Sequence, residues 1–178
     1  MYSLLYALVS ILVLAGAVNA QTTGITTMTW DCCEPACGYT SNLSPGAVGP
    51  VKSCNQQNGP AAAGTQNACI TQGGQTFSCS TYQPIIVNNT FSYGFAGHGD
   101  TATATCCMCY EFTWTSGAGE GKSMIVQAIN AGGITATDLD IYTPDYNACT
   151  AQYGAPSGGW GRQYGGANDP SRSFQRLY

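Results

Sequence analysis

The stretch CYEFTWT, residues 109–115, decides the fold class of this 178-residue chain. It is dense in aromatic and β-branched residues, which favour an extended strand. A glycine-rich turn at 116–121 follows, and the chain then continues into KSMIVQAI at 122–129. Two such runs joined by a short glycine-rich connection predict an antiparallel strand pair.

The rest of the chain agrees with a β-rich fold. Residues 130–133 form a second turn, Asp138 to Tyr142 predict a short strand, and the threonine-rich residues 21–29 are expected to be extended. Residues 40–75 are rich in glycine, proline and amides, which predicts long loops rather than a linker. Helical periodicity is scarce, so we expect an all-β barrel or sandwich.

The N-terminus predicts export from the cell. Residues 1–20 carry no charged side chain, residues 4–14 form an apolar run, and small residues precede Ala20. This layout is typical of a signal peptide cleaved after Ala20, although a membrane anchor is the alternative. We therefore expect residues 21–178 to form one secreted domain, with no membrane attachment once the signal is removed.

Ten cysteines in an exported chain indicate a disulfide framework. Zinc binding by Cys106-Cys107-x-Cys109 or the earlier cysteine cluster is a weak alternative, because the chain has one histidine. Asn42 and Asn88 begin acceptor motifs for N-glycosylation. No basic run is present to neutralise phosphates, which argues against nucleic-acid binding.

The few acidic residues limit the chemistry. Glycoside hydrolysis needs two facing carboxyl groups, and Asp31 lies between Trp30 and a Cys-Cys pair that could hold it rigidly. Strand alternation puts Asp138 and Asp140 on one face. Each could equally be structural or solvated, and Glu111 is a further candidate. The lone His98 between two glycines is expected to be a loop residue, and no Gly-x-Ser-x-Gly elbow supports a serine hydrolase.

TWDCCEPACG at 29–38 closely resembles the corresponding stretch of glycoside hydrolase family 45 endoglucanases. The similarity continues through CCMCYEF at 106–112, GKSMIVQ at 121–127, DLDI at 138–141 and CTAQYG at 149–154. It ends near Gly166, so it covers nearly all of the predicted mature chain.

The resemblance implies a six-stranded double-psi β-barrel and an inverting hydrolysis of internal β-1,4-glucan bonds, without metal or cofactor and by a monomer. Asp31 matches the general base and Asp138 the general acid. Inversion requires the two carboxyl groups to lie roughly 6.5–9.5 Å apart. Trp30 and Tyr110 are candidate sugar-stacking residues, and Asp140 could assume part of the role of an acidic residue that the family carries nearby.

The resemblance also implies the disulfide pairing, and it leaves Cys107 and Cys109 without partners. The implied bridges are Cys32–Cys149, Cys33–Cys69, Cys37–Cys106 and Cys54–Cys79. Family members continue past the position of Gly166 with further cysteines, so the resemblance also implies C-terminal truncation and a barrel whose last part is missing.

The sequence leaves two other classes of protein open. Expansins share the barrel and the acid aspartate but generally lack the base, so a non-hydrolytic carbohydrate-binding protein is one alternative. A barwin-like defence protein is the other. The Trp30-Asp31-Cys32-Cys33 motif favours the hydrolase.

Overall fold

A computed structural model describes residues 22–29, 32–62, 64–70 and 74–143, and six strands make up one sheet within them. The strands are β1 Thr26–Thr29, β2 Ile85–Asn88, β3 Phe91–His98, β4 Cys109–Thr113, β5 Ser123–Ala131 and β6 Leu139–Tyr142. A four-residue helix, α1 Ala102–Thr105, precedes β4, and 3-10 turns lie at Ala36–Gly38 and Thr40–Asn42. In this described part of the chain, no helix is long and apolar enough to cross a membrane.

The sheet is mixed, and its order is β1-β6-β3-β5-β4 with β2 paired to β3. β1 runs parallel to β6, and β3 runs parallel to β5, whereas the other pairs are antiparallel. β3 is the centre of the sheet, because it pairs with β2, β5 and β6. Two parallel pairs inside one six-stranded sheet agree with the expected double-psi barrel.

The sheet curls until its two end strands approach each other. The Trp114 indole N–H, immediately after β4, donates a 3.0 Å hydrogen bond to the Thr26 hydroxyl in β1. Apolar side chains from one face fill the space inside the curl. This inner cluster consists of Ala96, Met124, Val126, Leu139 and Ile141, covered by Tyr110, Phe112 and Trp114. Its members alternate along the strands because successive side chains point to opposite faces.

Disulfide-pinned loops cover part of the outer face. An outer cluster of Cys54, Cys79, Tyr82, Ile129 and Tyr142 joins these loops to the sheet, with Val51 and Phe95 packed against it. Three bridges hold the loops: Cys33–Cys69, Cys37–Cys106 and Cys54–Cys79, the same pairs that the resemblance implies. Cys32 is also disulfide-bonded, and its implied partner Cys149 lies outside the described residues.

The all-β prediction is confirmed, and the strands predicted at 109–115, 122–129 and 138–142 appear as β4, β5 and β6. The zinc alternative is wrong for the clusters that suggested it, because Cys33, Cys37 and Cys106 are disulfide-bonded and cannot serve as thiolate ligands. Cys107 and Cys109, for which the resemblance implies no partner, are free. Composition and periodicity did not indicate β2, β3 or α1.

Candidate active site

The loop that precedes β6 is held between two glycines. A Cβ atom at Gly24 would overlap the carbonyl oxygen of Thr137, and one at Gly99 would overlap that of Thr135. The backbone of residues 134–138 therefore packs directly against the segment before β1 and the segment after β3. This close packing fixes the position of Asp138, which ends the loop.

The Asp138 carboxylate accepts hydrogen bonds from two groups, one in the segment before β1 and one in its own loop. The Ile25 backbone N–H donates a 2.8 Å hydrogen bond to Asp138 Oδ1. The Thr135 hydroxyl and this N–H hold the pKa of Asp138 below its usual range, because both bonds stabilise the carboxylate. In the free protein, Asp138 is thus ionised at neutral pH and well positioned.

Asp140 has the opposite electrostatic environment. It lies in β6 opposite Gly97 of β3, where a Cβ on the glycine would be 3.6 Å from the Asp140 Cβ. Partial burial raises the pKa of Asp140, and the charge of Asp138 raises it further. Asp140 therefore retains its proton to higher pH than Asp138 does.

Trp30 and Asp31 lie outside the described residues, so the separation of Asp31 from Asp138 stays a prediction. The neighbouring residues are described. Thr29, which ends β1, pairs with Tyr142, which ends β6, and Asp138 lies at the opposite end of this parallel pair. The Cys32 carbonyl accepts a hydrogen bond from Ser78 N, which attaches the chain beyond Asp31 to the loops of the outer face.

Tyr110, a candidate for sugar stacking, is half-buried in β4. It packs against the inner cluster, and its ring stacks on His98 with centroids 4.5 Å apart and planes at 20°. One face of the Tyr110 ring is thus covered by His98, and a stacking role of Tyr110 towards a sugar stays a prediction. His98 is a buried strand residue rather than the loop residue we expected, and burial lowers its pKa. Glu111 lies on the exposed face of β4, separated from β6 by two other strands.

A cleft of about 370 Å³ lies elsewhere, between residues 46–52 and the side chains of Tyr82, Cys107 and Gln127. It contains neither Asp138 nor Asp140. The ionisable side chains that line it are those of Lys52, Tyr82 and the free Cys107. The cleft therefore offers no carboxyl pair for glycoside hydrolysis.

Two residues that support the site, Thr135 and Asn130, were not predicted from the sequence. Thr135 donates to Asp138, and the Thr-x-x-Asp spacing of a turn is the signal that could have indicated it. Asn130, at the end of β5, accepts a 2.8 Å hydrogen bond from Ala36 N and donates a 3.1 Å bond to the Tyr142 hydroxyl. It ties the segment after Cys32-Cys33 to β6, and nothing local in the sequence predicts this contact.

Comparison with known proteins decides the family. The family model described as glycosyl hydrolase family 45 matches residues 23–175. The chain belongs to glycosyl hydrolase family 45. The match therefore includes both the region of Asp31 and the described pair Asp138 and Asp140.

Individual relatives of this family 45 chain agree. It is 36% identical over 162 residues to an endoglucanase of Cryptopygus antarcticus, covering 85% of this chain and 70% of that protein. It is 33% identical over 153 residues to an endoglucanase of Phaedon cochleariae, covering 80% of this chain and 62% of that protein. The crystal structure of the cellulase from the Antarctic springtail superposes with a TM-score of 0.63 at 35% identity, covering 87% of this chain and 76% of that one.

These similarities confirm that the protein is a glycoside hydrolase with the fold of a cellulase. They favour the hydrolase over the expansin-like and barwin-like alternatives, since the matching family model and the named relatives are hydrolases.

Proposed function

We propose that this protein is a secreted endo-β-1,4-glucanase that inverts the anomeric centre, with Asp31 as general base and Asp138 as general acid. Membership of glycosyl hydrolase family 45 is the observation that carries the proposal. The substrate is a β-1,4-glucan such as cellulose, and Trp30 is the candidate stacking residue beside the base.

The chemistry needs a proton donor on one side of the scissile bond and a water-activating carboxylate on the other. Asp138 transfers its proton to the leaving glycosidic oxygen, which stabilises the departing alcohol. Asp31 accepts a proton from a water molecule that attacks the opposite face of the sugar. Room for that water is the reason for the roughly 6.5–9.5 Å separation in inverting enzymes.

The low pKa of Asp138 in the free protein is a difficulty that the substrate must remove. A glucan lying over this partly exposed carboxyl group would exclude water and disfavour its charged form. Asp138 as general acid therefore predicts that its pKa rises on substrate binding.

Asp140 is the second candidate for the acid, because partial burial already raises its pKa in the free protein. In that arrangement Asp138 would remain a carboxylate that positions the substrate. The two assignments differ in which substitution removes the proton donor.

Single substitutions of the three aspartates distinguish Asp138 from Asp140 as the general acid. Reducing-end release from carboxymethylcellulose is measured for wild type, Asp31→Asn, Asp138→Asn and Asp140→Asn, together with cellulose binding. We expect Asp138→Asn to lose at least ~100-fold in kcat with binding nearly intact, and Asp140→Asn to keep measurable turnover. An inactive Asp140→Asn beside an active Asp138→Asn would transfer the acid role to Asp140.

Two further measurements test the mechanism. The alkaline limb of the pH profile of kcat, which reports the complex, should lie at higher pH than that of kcat/KM, which reports the free enzyme. Proton NMR of the first products should show α-anomers from the β-linked substrate. First products that are β-anomers would refute inversion.

A further inference from the structure

We propose that Asn88, at the tip of the β2–β3 hairpin, carries an N-linked glycan whose first sugar packs against Phe91. The chain contains two acceptor motifs, Asn42-Leu43-Ser44 and Asn88-Asn89-Thr90, and the structure separates them. The inference rests on export of the chain, which is part of the proposed function, and not on its hydrolytic activity.

The Asn88 motif is presented for modification. Asn88, Asn89 and Thr90 are all exposed in the turn between β2 and β3. Asn88 Oδ1 accepts hydrogen bonds from the Thr90 N–H at 2.9 Å and from the Thr90 hydroxyl at 3.0 Å. Both bonds use Oδ1, so neither occupies Nδ2, the atom that carries the sugar. The acceptor amide and the motif's hydroxyl are already in contact.

In the Asn42 motif, by contrast, the side chains of Asn42 and Ser44 form hydrogen bonds within the fold. Asn42 Nδ2 donates a 2.9 Å hydrogen bond to the Ala36 carbonyl oxygen, so the acceptor atom is engaged. Ser44 is buried, and its hydroxyl donates a 2.7 Å bond to the Cys106 carbonyl oxygen. These bonds lie beside the Cys37–Cys106 disulfide. A glycan on Asn42 would have to displace its bond to Ala36, which the fold opposes.

The surroundings of Asn88 suit a sugar. Asn88 pairs with Phe91 across the hairpin, and Ile85 pairs with Tyr93. The Phe91 and Tyr93 rings meet edge to face with centroids 5.0 Å apart. Ile85, Ile86, Val87 and Tyr93 are each about half exposed, at 55%, 51%, 53% and 47%. By this pairing, Phe91, Tyr93 and Ile85 lie on the face of the hairpin that Asn88 shares, so a sugar whose C–H face covers the aromatic rings would reduce apolar exposure to water.

The transfer requires a lipid-pyrophosphate-linked oligosaccharide, the donor class of the secretory pathway. The C–O bond between the first sugar's anomeric carbon and the pyrophosphate breaks, and a C–N bond to Asn88 Nδ2 forms. The lipid pyrophosphate leaves, and Nδ2 loses one proton. No oxidation or reduction takes place.

The test expresses the full chain from its own N-terminus in a eukaryotic secretory host. Intact mass is measured before and after peptide N-glycosidase treatment, which leaves aspartate at an occupied site, and peptide mapping locates that position. We expect occupancy at Asn88 and none at Asn42. Thr90→Ala should abolish the glycan and Thr90→Ser should retain it, while Thr81→Ala, an exposed threonine outside the motif, should change nothing.

A secreted, leader-cleaved product that lacks sugar at Asn88, or that carries it at Asn42, would overturn the proposal. A product retained in the cell with its leader intact would overturn export as well. Reducing-end release by the cell extract would then show whether the proposed hydrolysis stands independently.

The aromatic contact has a separate readout. An endoglycosidase that leaves the first sugar on Asn88 should leave Tm unchanged, whereas complete removal should lower it by about 1–4 °C. In Phe91→Ala the complete removal should produce a smaller change. Equal changes in wild type and Phe91→Ala would show that the first sugar does not pack on Phe91.

Discussion

At the scale of single residues, the pair Asp138 and Asp140 shows how neighbouring side chains acquire different acidities. Hydrogen bonds from Thr135 and Ile25 favour the charged form of Asp138, whereas partial burial and the Asp138 charge oppose that of Asp140. The two differ because one ends a surface loop and the other lies in a strand over β3.

Asp140→Asn should therefore stabilise the free protein near pH 7. The pKa of Asp140 is raised in the folded state, so ionisation favours unfolding at any pH above the unfolded-state value of about 3.9. The penalty disappears below that value, because the group is then protonated in both states. Thermal unfolding should show a higher Tm than wild type at about pH 7 and an equal Tm at about pH 3. A variant that is less stable at both pH values would contradict this account.

Gly99→Ala should disturb the site by moving the loop that carries Asp138. The new Cβ would overlap the Thr135 carbonyl oxygen, so residues 134–138 must shift. We expect kcat to fall by about 10-fold or more. Gly132→Ala, where a Cβ meets nothing within 4 Å, is the matched control and should keep near-normal activity. Equal activity of the two variants would show that the loop tolerates displacement.

At the scale of elements, the decisive contact is the one that brings β4 towards β1. The indole of Trp114 covers the inner cluster and meets the Phe112 ring edge to face, with centroids 4.8 Å apart. Its N–H also donates a hydrogen bond to the Thr26 hydroxyl. One side chain therefore fills the core and connects the two end strands of the described sheet.

Trp114→Phe keeps an aromatic ring over the inner cluster but removes the N–H donor. We expect a loss of about 1–3 kcal/mol in the free energy of unfolding, from the lost hydrogen bond and part of the lost ring. Urea denaturation measures this loss. Thr26→Val removes the same bond from the acceptor side, and its effect should not add fully to that of Trp114→Phe. Full additivity would show that the bond does not link the strands.

At the scale of the whole molecule, disulfides replace part of the core that a loop-rich chain cannot build. Cys37–Cys106 spans 69 residues and ties the segment after the Asp31 motif to the end of α1. Cys54–Cys79 spans 25 residues within the loops and belongs to the outer cluster.

Replacing Cys37 and Cys106 together by alanine should cost about 4 kcal/mol of unfolding free energy, because a 69-residue loop regains its freedom in the unfolded chain. Replacing the free Cys109 by serine should cost less than about 0.5 kcal/mol, since this exposed side chain closes no loop. Urea unfolding of both variants under the same conditions checks the difference. A small loss in the double variant would indicate that packing alone holds this region.

The sequence by itself determined the fold class, three of the strands and the family. β4 and β5 carry dense aromatic and β-branched residues, a signal that is local and therefore readable. The TWDCCEPACG motif at 29–38 likewise indicates the hydrolase family without any knowledge of distant contacts.

Only the tertiary structure revealed the centre of the sheet and the unequal environments of the carboxyl groups. β3 contains Gly94 and Gly97, and glycines weaken the sequence pattern that predicts a strand. At both positions, however, neighbouring side chains lie close to where a Cβ atom would be. A Cβ at Gly94 would meet Met124 Sδ at 3.1 Å, and one at Gly97 would meet the Asp140 Cβ at 3.6 Å. The acidity of Asp138 depends on Thr135, which a local spacing could indicate, but also on Ile25, 113 residues away, and the acidity of Asp140 depends on burial in the sheet. The contacts with Ile25 and within the sheet join distant parts of the chain, so no local pattern encodes them.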